Sequence, residues 1–143
     1  MTDSKQLVHR IFDEIINQRR LDRVDELFAD DYVDHGPTGD MQGREALRQM
    51  MGAYLDSFAD LRCEVSNVIA EGDLVAWVVT TTGTHTGDGL GFPATQKRIS
   101  TVSANMGRTR DGKAVEHWAE QGMLAMLQQL GVVPEMGAPQ PAR

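Results

Sequence analysis

"LRCEVSNVIAEGDLVAWVVTTTGTHT", residues 61–86, alternates apolar and polar side chains, breaks at Gly72-Asp73, and resumes as a run rich in Val and Thr. Alternation with a period of two is the signature of a half-buried strand, and a Gly-Asp pair between two such runs reads as a hairpin turn. The second run, residues 74–82, is apolar or Thr on both of its faces. The side away from the core therefore also needs cover, and a second subunit is one way to supply it.

Downstream, "GDGLGFPATQ" reads as a flexible loop. The glycines of "GDGLG" resemble a phosphate-binding loop, but neither a Lys nor a helix comes directly after them. "KRISTVSANMGRT" is the next strand, and Asp111-Gly112 is a strong hairpin signal that sends the chain back as "KAVEHWAEQ". Gly122 breaks this strand before a short final helix, "MLAMLQQLG", which ends at Gly131. "VVPEMGAPQPAR" carries three prolines and little to bury, so residues 1–134 are expected to form one domain and 135–143 a flexible tail.

Upstream, the period lengthens to that of helices. Leu7, Val8, Ile11, Phe12, Ile15 and Ile16 form one face of a helix over 4–18, with Asp3 as cap and Gln6 completing a capping box. "LDRVDELFADDY" is a shorter helix capped by Asp22, and "YVDHGP" is a short extended piece stopped by Gly36 and Pro37. From Gly43, "REALRQMMGAYLDSF" makes a third helix, with Leu47, Met50, Met51, Tyr54, Leu55 and Phe58 on its face. Helices followed by about four long antiparallel strands predict an α+β domain, its curved sheet wrapped over the helices and open at one end as a pocket.

The 143 residues suffice for one sizeable core, and 41% of them are hydrophobic. The charge is −7, from 14 basic and 21 acidic residues, and the basic residues form no stripe. Nucleic acid and anionic membrane surfaces are poor partners for such a chain. The single cysteine, Cys63, makes neither an internal disulfide nor a zinc pattern. "MTDSKQLVHR" lacks the apolar segment of a signal peptide, and no apolar run is long enough to span a membrane. The expected compartment is the cytoplasm.

Four histidines are the candidates for acid-base chemistry. His9 lies among charged neighbours and reads as a surface residue, and His85 reads as a hydrogen-bonding strand end. His35 follows Asp34, so it is either a base oriented by a carboxylate or a stabiliser of its turn. His117 lies in a strand with Glu116, Trp118 and Glu120 on one face and Val115, His117, Ala119 and Gln121 on the other. Alternation does not say which face looks inward. A buried Trp beside carboxylates can make an acid catalyst, but such a Trp is also ordinary core.

"YVDHGP" after two helices, "GTHTG" ending a strand, "FPATQKR" after a glycine loop, "RTRDGKAVEHW" and the closing "LQQLG" together resemble the SnoaL-like polyketide cyclase (ester cyclase-like) family. The resemblance spans residues 4–134. It implies the cone-shaped nuclear transport factor 2-like fold and a cofactor-free intramolecular aldol condensation, in which an Asp acts as general acid and base with the help of a His. Counted without gaps between "DGK" and "QLG", the family's catalytic Asp falls on Ala119 and its assisting His on Asn105. A polar pocket residue, usually Asn in the family, falls on Asp34. The Asp that many relatives carry four residues after the Trp falls on Gly122.

The resemblance thus implies a diverged enzyme acting by proton transfer on a hydrophobic, carbonyl-bearing small molecule, with no cofactor and no metal. Trp118, Trp77, Tyr32 and Tyr54 would line the pocket and Asn105 would hold an oxygen. His117 or the Asp34–His35 pair would move the proton, with Glu120 behind them. The alternatives are a non-catalytic binder of a small ligand and a homodimeric interaction module.

Overall fold

In the computed structural model, which describes residues 3–120 and 122–135, the chain begins with helix α1, Ser4–Arg10. Its N-cap is Asp3, whose side chain accepts a hydrogen bond from the Lys5 amide. The helix read over 4–18 is not uniform: Ile11–Asn17 widens into a π-helix, closed by a bond from the Gln18 amide to the Asp13 carbonyl. Asn17, at the end of the widened segment, grips an edge strand. Its Nδ2 donates to the Cys63 carbonyl at 2.9 Å and its Oδ1 accepts from the Cys63 amide at 2.8 Å. The edge of the sheet is thereby covered by a side-chain amide in place of another strand.

Helix α2 is only Val24–Leu27. The expected helix "LDRVDELFADDY" stops at Leu27, and the rest enters strand β1, Phe28–Gly36, because Phe28, Ala29, Tyr32 and Asp34 are buried at strand positions. Strand β2, Gly39–Gln42, folds back on β1, and helix α3, Arg44–Ser57, follows. Strands β3, Arg62–Glu71, and β4, Leu74–Thr84, form the expected hairpin about Gly72-Asp73. Strands β5, Arg98–Arg110, and β6, Lys113–Ala119, form the second, about Asp111 and Gly112. Both turn residues there have positive φ, 52° and 75°, as a type I′ turn requires. Helix α4, Met123–Gln129, follows Gly122, which is left-handed at φ 68°.

The sheet has six strands in the order β2-β1-β6-β5-β4-β3. It is mixed where an antiparallel sheet was expected, because β1 pairs with β6 in parallel. That pairing brings the "YVDHGP" stretch beside "EHW", with Asp34 in register with His117 and His35 with Trp118. The helices pack on one face of the curved sheet, where Leu7, Ile15, Val24, Leu47, Phe58, Val75 and Ile99 are almost fully buried. The loop "GDGLGFPATQ" is docked on α3, where the Thr86 and Gly87 amides bond to the Ser57 carbonyl. A side chain at Gly87 would meet the Asp56 carbonyl, so that glycine serves close approach to the helix. Among the described residues no helix is long and apolar enough to cross a membrane. Most of the expected tail, 136–143, and Gln121 lie outside the described residues.

Candidate functional site

Between the helices and the inner face of the sheet lies a cavity of about 160 Å³. Its wall is mostly apolar, with Phe12, Met50, Met51 and Met126 facing Trp77 and Val79. The polar atoms gather at β1, β5 and β6. Alternation along each strand turns Tyr32 and Asp34 of β1, Thr101, Ser103 and Asn105 of β5, and His117 of β6 into the same space.

These side chains form one hydrogen-bonded row. The Tyr32 hydroxyl donates to Oδ2 of Asp34 at 3.1 Å. The same oxygen lies 3.0 Å from Nδ1 of His117. Nε2 of His117 lies 2.9 Å from Oδ1 of Asn105, whose Nδ2 donates to the carbonyl and the hydroxyl of Ser103 at 3.2 and 3.3 Å. A carbonyl only accepts, so the bond to Ser103 turns the Asn105 oxygen toward the imidazole. His117 is held between two acceptors. Trp77 stacks on its ring at 5.7 Å between centroids. Gly107 makes room for the indole, because a Cβ there would come within 3.3 Å of its Cζ3.

Burial sets the state of three further titratable residues in the wall. It pushes the Tyr32 hydroxyl far above its ordinary value, reinforced by the charge of Asp34, and it raises Tyr54 and the Cys63 thiol as well. All three are thereby held in the protonated form.

Sequence reasoning named Asp34, His117, Asn105, Trp77, Tyr32 and Tyr54, and all six border the cavity. His35 and Trp118 do not. Each follows an inward residue by one position, so both emerge on the other face of the sheet and stack on each other at 5.1 Å. There Nδ1 of His35 meets Asp40 and Nε2 meets Glu116, each at 2.9 Å. Arg108 closes the network by binding Glu116 and Asp73 and lies over the Trp118 ring. The expected Asp34–His35 pair is therefore divided by the sheet. Glu120 is exposed, and its carboxylate accepts from the Gly122 amide at the turn before α4. Trp118 and Glu120 are thus corrected from the pocket wall to the outer face and the final turn. His85 is the structural residue expected: it is fully buried, and its Nδ1 accepts from the Thr95 amide.

Sequence reasoning missed Thr101 and Ser103. The signal was present, since both alternate with Asn105 in "TVSAN". Val115, placed on the His117 face by simple alternation, is the extra residue of a β-bulge, and Ala114 lines the cavity in its stead. Among the described residues, no three His, Cys, Asp or Glu side chains converge as metal ligands.

The model of the SnoaL-like polyketide cyclase family matches residues 6–130. Nogalonic acid methyl ester cyclase of Streptomyces nogalater is 30% identical over 118 residues, which cover 80% of this chain and 88% of that protein. Two crystal structures superpose well. AclR of Streptomyces galilaeus, a proposed hydroxylase, gives a TM-score of 0.81 at 30% identity, over 95% of this chain and 84% of that one. IdmH of Streptomyces antibioticus, a proposed polyketide cyclase, gives 0.78 at 31% identity, over 91% of this chain and 99% of that one.

Proposed function

Because the chain belongs to the SnoaL-like polyketide cyclase family, we propose that it is a cofactor-free enzyme that moves a proton on an apolar, carbonyl-bearing small molecule. The observation that carries this reading is the Asp34–His117–Asn105 row at the polar end of an apolar cavity. Removal of a hydrogen α to a carbonyl leaves the C–H electron pair in an enolate, whose oxygen takes the negative charge. The enolate carbon then attacks a second carbonyl carbon of the same molecule, and the proton returns to the new alkoxide. No external oxidant or reductant enters this balance. The hydroxyls of Thr101 and Ser103 border the cavity as donors for the enolate oxygen, and an apolar wall strengthens such bonds. The relative that closes a ring on a methyl ester supports the same class of substrate.

The test is exchange of α-hydrogen for deuterium in an enolisable bicyclic ketone such as 2-tetralone, followed by NMR. The expected result is exchange above the buffer rate with the wild type and at the buffer rate with the Asp34→Asn/His117→Gln double variant. Unchanged exchange in that variant would remove these residues from the reaction.

Ala119 favours a second reading, a binder that has lost its chemistry, because the resembled family keeps its catalytic acid at that position. Tight binding of a bicyclic ketone with no exchange would support that reading against the first.

A further inference from the structure

The cavity holds a carboxylate whose two oxygens are treated differently. Asp34 is 5% exposed. Oδ2 is bonded to both the Tyr32 hydroxyl and Nδ1 of His117, while Oδ1 has no hydrogen-bond partner among the described residues. Asp34 lines the cavity, and Oδ1 is the oxygen left to face it. A carboxylate offers about four lone-pair sites, and no described residue takes those of Oδ1.

The other candidates are closed. Both ring nitrogens of His117 are engaged, and the Asn105 amide is bound to Ser103 and His117. Tyr32 donates to Asp34. Glu116 and Arg108 reach the wall of the cavity, but their charged ends are bound to each other and to His35 and Asp73. Position 119, on β6, carries a methyl group that can take no proton.

We infer that the working carboxylate of this chain has moved from β6 to β1: Asp34 faces the ligand through Oδ1 and accepts its acidic hydrogen, while Oδ2 is anchored by Tyr32 and His117. This inference deepens the proposed function and rests on the reading of the cavity as a small-molecule site. In the proton-transfer step, Oδ1 gains the hydrogen as a proton, the C–H pair passes into the enolate, and the proton leaves Oδ1 for the alkoxide.

A binding experiment tests the inference without any turnover. The probes are 1-naphthol, a flat apolar molecule with an acidic O–H, and 1-methoxynaphthalene, which has the same rings and no O–H. The wild type should prefer the naphthol by roughly tenfold or more, the range of a hydrogen bond to a charged acceptor. Asp34→Asn leaves at most a neutral amide where the charged oxygen stood, so the preference should fall severalfold or more while the ether binds as before. Equal binding of the two probes by the wild type overturns the inference and needs no variant. A preference that is undiminished in Asp34→Asn overturns it as well. If the preference depends on Asp34 but no ketone exchanges its α-hydrogen, the facing carboxylate stands and the proton-transfer reading falls.

Discussion

Asn105 and Ala119 are direct partners across β5 and β6, so an amide and a methyl group share the inward face. The amide is tied into the wall at both ends. Its oxygen lies 2.9 Å from Nε2 of His117, and its nitrogen is bound to Ser103. Asn105→Ala should therefore leave a buried ring nitrogen without a partner, at a cost of about 1–3 kcal/mol. Urea unfolding of the two proteins measures this loss. No measurable difference would mean that the His117–Asn105 bond is not formed in solution.

The outer network gives a prediction in pH. Hydrogen bonds to Glu116 and then to Asp40 raise the His35 pKa above its ordinary value, and the bond to His35 is the main cause that lowers Glu116. A raised histidine contributes stability that is full below its unfolded value, about 6.5, and is lost as pH rises through the folded value. A lowered carboxylate contributes stability that is full above its unfolded value, about 4.5, and is lost as pH falls through the folded value. Both contributions are complete between about pH 4.5 and 6.5. The deficit of His35→Gln relative to wild type should be greatest in that window and shrink on either side. Denaturation midpoints at pH 5.5 and 8.5 decide the matter, and a deficit independent of pH would rule out this ion pair.

Local chemistry accounts for what was legible in the sequence. The turns at Gly72-Asp73 and Asp111-Gly112, the break at Gly122 and the helix after Gly43 all follow from residues adjacent to them. The pairing of β1 with β6 joins segments some 80 residues apart, and nothing local encodes it. That pairing nevertheless builds the site, because it sets Asp34 beside His117 and sends His35 and Trp118 to the other face. The two faces of β6 were readable from alternation near His117, but their orientation was not. The bulge at Val115 and the π-helix from Ile11 to Asn17 are similarly tertiary: each lets neighbouring elements fit and leaves no plain mark in the sequence.

Cys63 offers a probe of the cavity. It lines the wall at 7% exposure, and burial holds its thiol above the ordinary range. Only the thiolate reacts, so labelling by an aromatic disulfide at pH 7.5 should be roughly tenfold or more slower than for a free thiol and should become fast in denaturant. Occupancy by 1-methoxynaphthalene should slow it further. Native labelling as fast as in denaturant would place the thiol outside the packed interior.

The outer face of the sheet carries the last prediction. Ile69 is 67% exposed, Val102 66% and Met106 38%. Ile69 is in register with Ala76, Ala76 with Met106, and Met106 with Trp118, so these side chains run as one apolar band across β3, β4, β5 and β6. A monomer seldom leaves such a band in water, and a two-fold axis through it would let each copy cover the other. We expect a homodimer at micromolar concentration in sedimentation equilibrium. Val102→Asp should shift it to monomer with little loss of fold, because residue 102 is largely exposed on the outer face of the sheet. If the wild type sediments as a monomer at tens of micromolar, a second copy is not what covers this face.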